Sequence, residues 1–133
     1  LGGVLGTLGG HNPLISSIDK TLGGNNPSIF TMDCNLGEGV TGAQHYEAAF
    51  NYAKAVQALG DNIGRKMIWP STGMKPGWDY DFVYLMYSSS ISEMGSWEDT
   101  FYSDYADIPE KKALDDLGGQ CFNARSYTAM SIK

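Results

Sequence analysis

From Ser28 onward, apolar residues either alternate or recur at helical steps, in blocks separated by turn-forming residues. Ser28-Ile29-Phe30-Thr31-Met32-Asp33-Cys34 reads as a first strand, ended by Asn35-Leu36-Gly37-Glu38-Gly39. Thr41 and Gln44 form a T-x-x-Q capping box, and Gly60 supplies a C-terminal stop. Between them Tyr46, Ala49, Phe50, Ala53, Val56 and Leu59 recur at three- and four-residue steps, predicting a helix with one apolar face. Residues 63–69 read as a short second strand closed by Pro70, and residues 70–77 are turn chemistry. Residues 78–87 give the strongest strand, with Tyr80, Phe82 and Tyr84 on one side and Val83 and Leu85 on the other. Ser90 and Glu93 make a second capping box, opening a helix whose Ile91, Met94, Trp97 and Phe101 share a face. Residues 107–117 form a shorter helix with Pro109 in its first turn, ended by Gly118-Gly119, and residues 121–132 form the last strand.

The order β-α-β-β-α-(α)-β predicts an α+β fold of the ferredoxin-like βαββαβ type, an antiparallel sheet with its helices on one face. First and last strands are then antiparallel neighbours. Cys34 ends the first and Cys121 opens the last, so the topology brings the two cysteines within reach of a disulfide. The alternative is a pair of reduced core cysteines; the expectation is the bridge, and with it an oxidising compartment, periplasmic or secreted.

Residues 1–27 have a different character. They are glycine-rich, and Leu8-Gly9-Gly10-His11-Asn12-Pro13 returns as Leu22-Gly23-Gly24-Asn25-Asn26-Pro27. The division expected is an N-terminal arm over 1–27 and one α+β domain over 28–133. Composition favours a flexible arm, whose Val4, Leu5, Leu8, Leu14, Ile15 and Ile18 could pack on the domain or on a neighbouring subunit. The first residue is Leu, which a removed signal peptide or an excised fragment would explain.

The 133 residues suit one domain with its own core. A net charge of −6 without a Lys/Arg cluster argues against nucleic acid and anionic membrane partners. The longest apolar runs, such as residues 82–87, are far short of a membrane span.

Phe30–Cys34 followed by Gly39, the helix over 42–60, Ile68-Trp69-Pro70, the Asp81-Phe82 strand and the Cys121 strand ending in Met130-Ser131-Ile132 resemble the dimeric α/β-barrel superfamily. The resemblance covers 28–133 and leaves the arm unmatched. It implies a homodimer, or a larger homo-oligomer, with a small apolar pocket between sheet and helices. That superfamily includes cofactor-free monooxygenases, haem proteins and isomerases, and no catalytic set of theirs can be matched here, so no cofactor is assigned.

Pocket candidates are Trp69, Tyr84 and Trp97, which fall on a strand end, a central strand and the facing helix. His45, in the first turn of the first helix, is a further candidate base or ligand, against the commoner reading of an exposed or capping histidine. With His11 as the only other histidine and no Cys/His cluster, no metal is expected. Asp79 and Asp81 share a strand face, as paired acid–base carboxylates do, but read as a solvated edge. Gly37, Gly39 and Gly42 match G-x-G-x-x-G; without a parallel βαβ context and with Glu38 inside, the segment reads as a turn. Two functions follow as expectations: a pocket protein (small-molecule binder or cofactor-free enzyme) binding a small apolar ligand, or a structural protein whose arm docks on neighbouring subunits.

Overall fold

The computed structural model describes residues 26–71 and 79–132. Except for Asn26 and Pro27, the expected arm lies outside them, as do Trp78 and most of the loop before it. The elements are β1 (Ser28–Asn35), α1 (Gly42–Ala58), β2 (Gly64–Ile68), β3 (Phe82–Ser88), α2 (Ile91–Ser103), α3 (Pro109–Asp116) and β4 (Gln120–Thr128). The four strands form one sheet in the order β2-β3-β1-β4, antiparallel at every pairing.

Strand alternation divides the sheet into two faces. Phe30, Met32 and Cys34 of β1 stand opposite Met86, Tyr84 and Phe82 of β3, and this face carries the core. Tyr52 and Val56 of α1, Met94 and Trp97 of α2, and Leu114 of α3 join the same cluster. Full burial of a side chain such as Phe30 or Phe82 stabilises the fold by roughly 1.5–3 kcal/mol.

Helix α1 begins as its capping box requires. The Gln44 backbone N–H donates to Thr41 Oγ1 (3.1 Å), and the Thr41 N–H donates to Gln44 Oε1 (2.8 Å). Its buried stripe is displaced from the expected one. Tyr52 and Val56 are buried, whereas Tyr46, Phe50 and Leu59 are 56%, 49% and 58% exposed. Two overlapping apolar stripes, 45-49-52-56 and 46-50-53, coexist on this helix, and docking on the sheet selects the first. At α2 only half a capping box forms. Ser90 Oγ accepts from the Glu93 N–H, but the Glu93 carboxylate accepts the Ser89 hydroxyl instead.

Cys34 and Cys121 are directly paired across β1 and β4, with Cα atoms 4.1 Å apart, and are joined by a disulfide. Beside them the chain turns back through Gly119, at φ +91° and so close to the Asn35 carbonyl that a Cβ would collide with it. Further along, the β1–β4 register shifts between Thr31 and Asp33; Asn123 there sits at φ +55° and donates Nδ2 to Asp33 Oδ2 at 3.0 Å. Strand β4 closes at Thr128, and the Ala129 N–H donates to the Pro27 carbonyl.

Candidate ligand-binding cavity

A cavity of about 310 Å³ lies between the helix-facing side of the sheet and the helices. Met32, Phe82, Tyr84 and Met86 form its sheet wall, and His45 and Tyr52 of α1 with Trp97 and Phe101 of α2 form its helical wall. Lys111 and Asp115 of α3, Gly118-Gly119 and the Cys121 end of the disulfide complete its rim. The volume is at the small end of ligand sites, which run roughly 300–1,000 Å³.

Arg65, the one buried charged side chain of this lining, belongs to an ion pair. Arg65 on β2 faces the core side, because its partner across the ladder is Met86. Its Nη1 and Nη2 donate to Asp61 Oδ1 and Oδ2 at 2.9 and 3.1 Å, and Nη1 donates also to the Ile63 carbonyl at 3.0 Å. Asp61 is fixed in turn by accepting the Ile63 N–H at 2.9 Å. Both side chains are buried, at 6% and 2% exposure, so the pair is a desolvated bidentate ion pair rather than a surface contact. Burial works against the charge of Arg65, and the hydrogen bond to Asp61 together with its anionic and phenolic neighbours outweighs it, holding the guanidinium protonated.

The guanidinium also lies over the Tyr52 ring, 5.6 Å from its centroid. Burial raises the Tyr52 and Tyr84 hydroxyls above the ordinary phenol range, Arg65 opposing it in both, so both are uncharged donors. His45 packs its ring 5.2 Å from that of Phe82, and burial lowers its pKa below the usual 6.5. Its place near the N-terminal end of α1 disfavours a positive charge further. At neutral pH it is a neutral imidazole.

Four buried side-chain polar atoms among the described residues have no hydrogen-bond partner: His45 Nδ1, Tyr52 Oη, Arg65 Nε and Trp97 Nε1. All four residues line this one cavity. An orphaned buried donor costs roughly 1–3 kcal/mol, so these four atoms, none of them open to a water-sized molecule, are sites of lost stability in the side chains that wall the cavity.

Of the residues singled out from the sequence, His45, Tyr84 and Trp97 come together here. Trp69 does not line the cavity. It is 42% exposed, packs its ring 5.0 Å from Phe82, and borders a shallow depression with Gly42, Ala43 and Tyr46. Asp81 is taken up structurally, its Oδ2 accepting the Leu36 N–H at 2.8 Å, while Asp79 is exposed. The Gly37–Gly42 segment is a turn closed by the Val40 N–H to Gly37 carbonyl bond, leading into the cap of α1. Tyr52, Arg65 and Asp61 were not singled out. The signal for the last two was the Asp61/Arg65 spacing of four, with Arg65 alternating onto the same side as Met67. Among the described residues no group of three or more His, Cys, Asp or Glu side chains is placed to hold a metal ion, and no helix is long and apolar enough to cross a membrane.

No known protein family and no curated protein matches the chain. Among solved structures it is similar to a protein of unknown function from Rhodopseudomonas palustris, at 14% identity and a TM-score of 0.40, over 88% of this chain and 93% of that one. The methylated form of that protein gives 16% identity and a TM-score of 0.38, over 88% and 91% of the two chains. Likenesses this weak add nothing to the reading of the site.

Proposed function

We propose that this chain is an exported small-molecule-binding domain of the ferredoxin-like type, acting as a homodimer and holding its ligand between sheet and helices. The observation that carries the reading is a cavity of about 310 Å³ between sheet and helices, its wall largely apolar through Met32, Phe82, Met86 and Phe101, to which His45, Tyr52, Arg65 and Trp97 add polar side chains. The strand order β2-β3-β1-β4 supports the fold type, and the disulfide supports export. The same site serves a cofactor-free reaction if neutral His45 takes a proton from the bound molecule, a role its lowered pKa suits.

Association is supported by the outer sheet face. Ladder register puts Ile68, Leu85, Tyr87, Ile29 and Tyr127 on the side away from the core, with Ile68, Tyr87 and Tyr127 41–49% exposed. A second copy, laying the same face against it, is the occupant proposed. The same face also favours the structural reading, in which the protein builds larger assemblies. Native mass spectrometry and sedimentation of the isolated protein separate the two. A discrete dimer, with a small-molecule mass or a ligand that quenches Trp97 fluorescence in the wild type and not in Trp97→Phe, is expected. A ladder of assemblies, with no added mass and no ligand among small carbonyl and aromatic compounds at millimolar concentration, would overturn the pocket reading in favour of assembly.

A further inference from the structure

Helix α1 keeps a second apolar stripe that no described element covers. Tyr46 and Phe50 stack along it with ring centroids 6.1 Å apart, both about half exposed, and Ala49 and Ala53 continue it. The Lys54 ammonium closes it, 5.5 Å from the Phe50 centroid. A groove of about 260 Å³ lies between this stripe and β2, where Arg65 and Met67 form the facing wall. Strand β2 is an edge of the sheet, so no further strand is there to fill the groove. The groove is on the helix side, away from the outer face given above to a second copy.

The sequence supplies an occupant. Leu14, Ile15, Ile18 and Leu22 recur at helical steps, preceded by Asn12-Pro13 and followed by Gly23-Gly24, which is the pattern of a short amphipathic helix. Such a stripe needs an apolar surface to lie on, since a helix this short does not stand alone in water. These positions lie outside the described residues, but the described chain begins at the same end of the sheet as the groove. Ser28 pairs with Ser88 of β3, and the preceding residue of β3, Tyr87, pairs with Gly64 at the start of β2. Two strand spacings, roughly 10 Å, therefore separate the start of β1 from the mouth of the groove. The chain from Leu22 to Pro27 spans up to about 17 Å, enough to cross. A helical run from Leu14 to Leu22 is about 12 Å long, and the α1 stripe from Tyr46 to Gln57 about 16 Å.

We propose that residues 14–22 dock in this groove of the same molecule, laying Leu14, Ile18 and Leu22 against Tyr46, Phe50 and Ala53. Docking removes two half-exposed aromatic rings and an aliphatic stripe from water together, and Gly23-Gly24-Asn25 supplies the tether.

The test replaces Phe50 with photoreactive p-benzoylphenylalanine in the full oxidised chain and mixes ordinary with isotope-labelled protein before irradiation. The ring at this position is half exposed, so the larger one fits without disturbing the core. Peptide mapping by mass spectrometry is expected to place the cross-link in residues 14–22, within chains of one isotope. Ile18→Glu, which puts a charge into the stripe, should lower the yield at least about tenfold. Ser16→Glu, on the opposite side of the helical pattern, should leave it within about twofold. Cross-links to residues 14–22 that join the two isotopes would overturn docking within one molecule and show arms exchanged between copies. Cross-links from position 50 into residues 26–132 of another copy would overturn it in favour of a second domain as the occupant. No cross-link to residues 14–22, or equal yields in Ile18→Glu and the parent protein, would overturn it outright.

Discussion

Replacing both bridged cysteines, as Cys34→Ala/Cys121→Ala, tests how much of this fold depends on one cross-link. The two positions are 87 residues apart, so the bridge removes the closure entropy of most of the chain from the unfolded state. For a separation of 87 the chain-entropy relation gives a loss of about 15 cal/mol/K, or about 4.6 kcal/mol at 25 °C. Measured values for such bridges run from about 2 kcal/mol upward. At an unfolding entropy of about 2.1 cal/mol/K per residue over 133 residues, that range lowers Tm by roughly 7–16 °C. Cys34 is buried at 1% exposure whereas Cys121 is exposed, so alanine at 34 also removes core contacts. Wild-type protein held reduced keeps those contacts and isolates the cross-link. Urea unfolding of oxidised, reduced and double-alanine protein is the assay, read as the midpoint and as the extrapolated free energy. Reduced and double-alanine proteins should both unfold well below the oxidised one, with the alanine variant lowest. A reduced protein within about 1 kcal/mol of the oxidised one would refute the argument, because the closure term would then be absent for a separation of 87 residues.

Asp61→Ala should cost about 3–5 kcal/mol, since it strands a guanidinium at 6% exposure, and Asp61→Ala/Arg65→Met should recover part of that loss in the same unfolding assay. Tyr52→Phe removes a hydroxyl that has no partner, so the variant should be as stable as the wild type or more so, by up to about 1–3 kcal/mol. Loss of stability on that change would mean the hydroxyl is satisfied. Because burial lowers the pKa of His45, the unfolded chain binds more protons between that lowered value and 6.5. Its contribution to stability is therefore complete above about pH 6.5 and declines as pH falls through the window. Unfolding midpoints at several pH values between 4.5 and 7.5 should show a shallower acid-side decline for His45→Gln than for the wild type, and equal declines would remove His45 as a cause.

The chain's own punctuation determined a good deal. The elements expected between residues 28 and 128 all appear, because each is bounded by local chemistry that needs no partner: the Thr41/Gln44 box, Ser90 at the start of α2, Pro109 opening α3, and Gly118-Gly119 after it. Alternation along β1 and β3 likewise fixed which residues share a face, since a side-chain period of two leaves no third choice. The cysteine pairing followed from element order, because the end of one strand and the start of its antiparallel neighbour must meet. Tertiary structure alone decided the rest. Helix α1 carries two apolar stripes, and only docking chose the one that buries Tyr52 and leaves Tyr46 and Phe50 in water. Only the folded sheet brought β2 beside the helices, so that Arg65 and Asp61 became a buried pair at the cavity wall rather than two polar residues flanking a short strand. The convergence of His45, Tyr52, Arg65 and Trp97 has the same origin. They come from α1, β2 and α2, and no local spacing encodes a distance between elements that are set by packing.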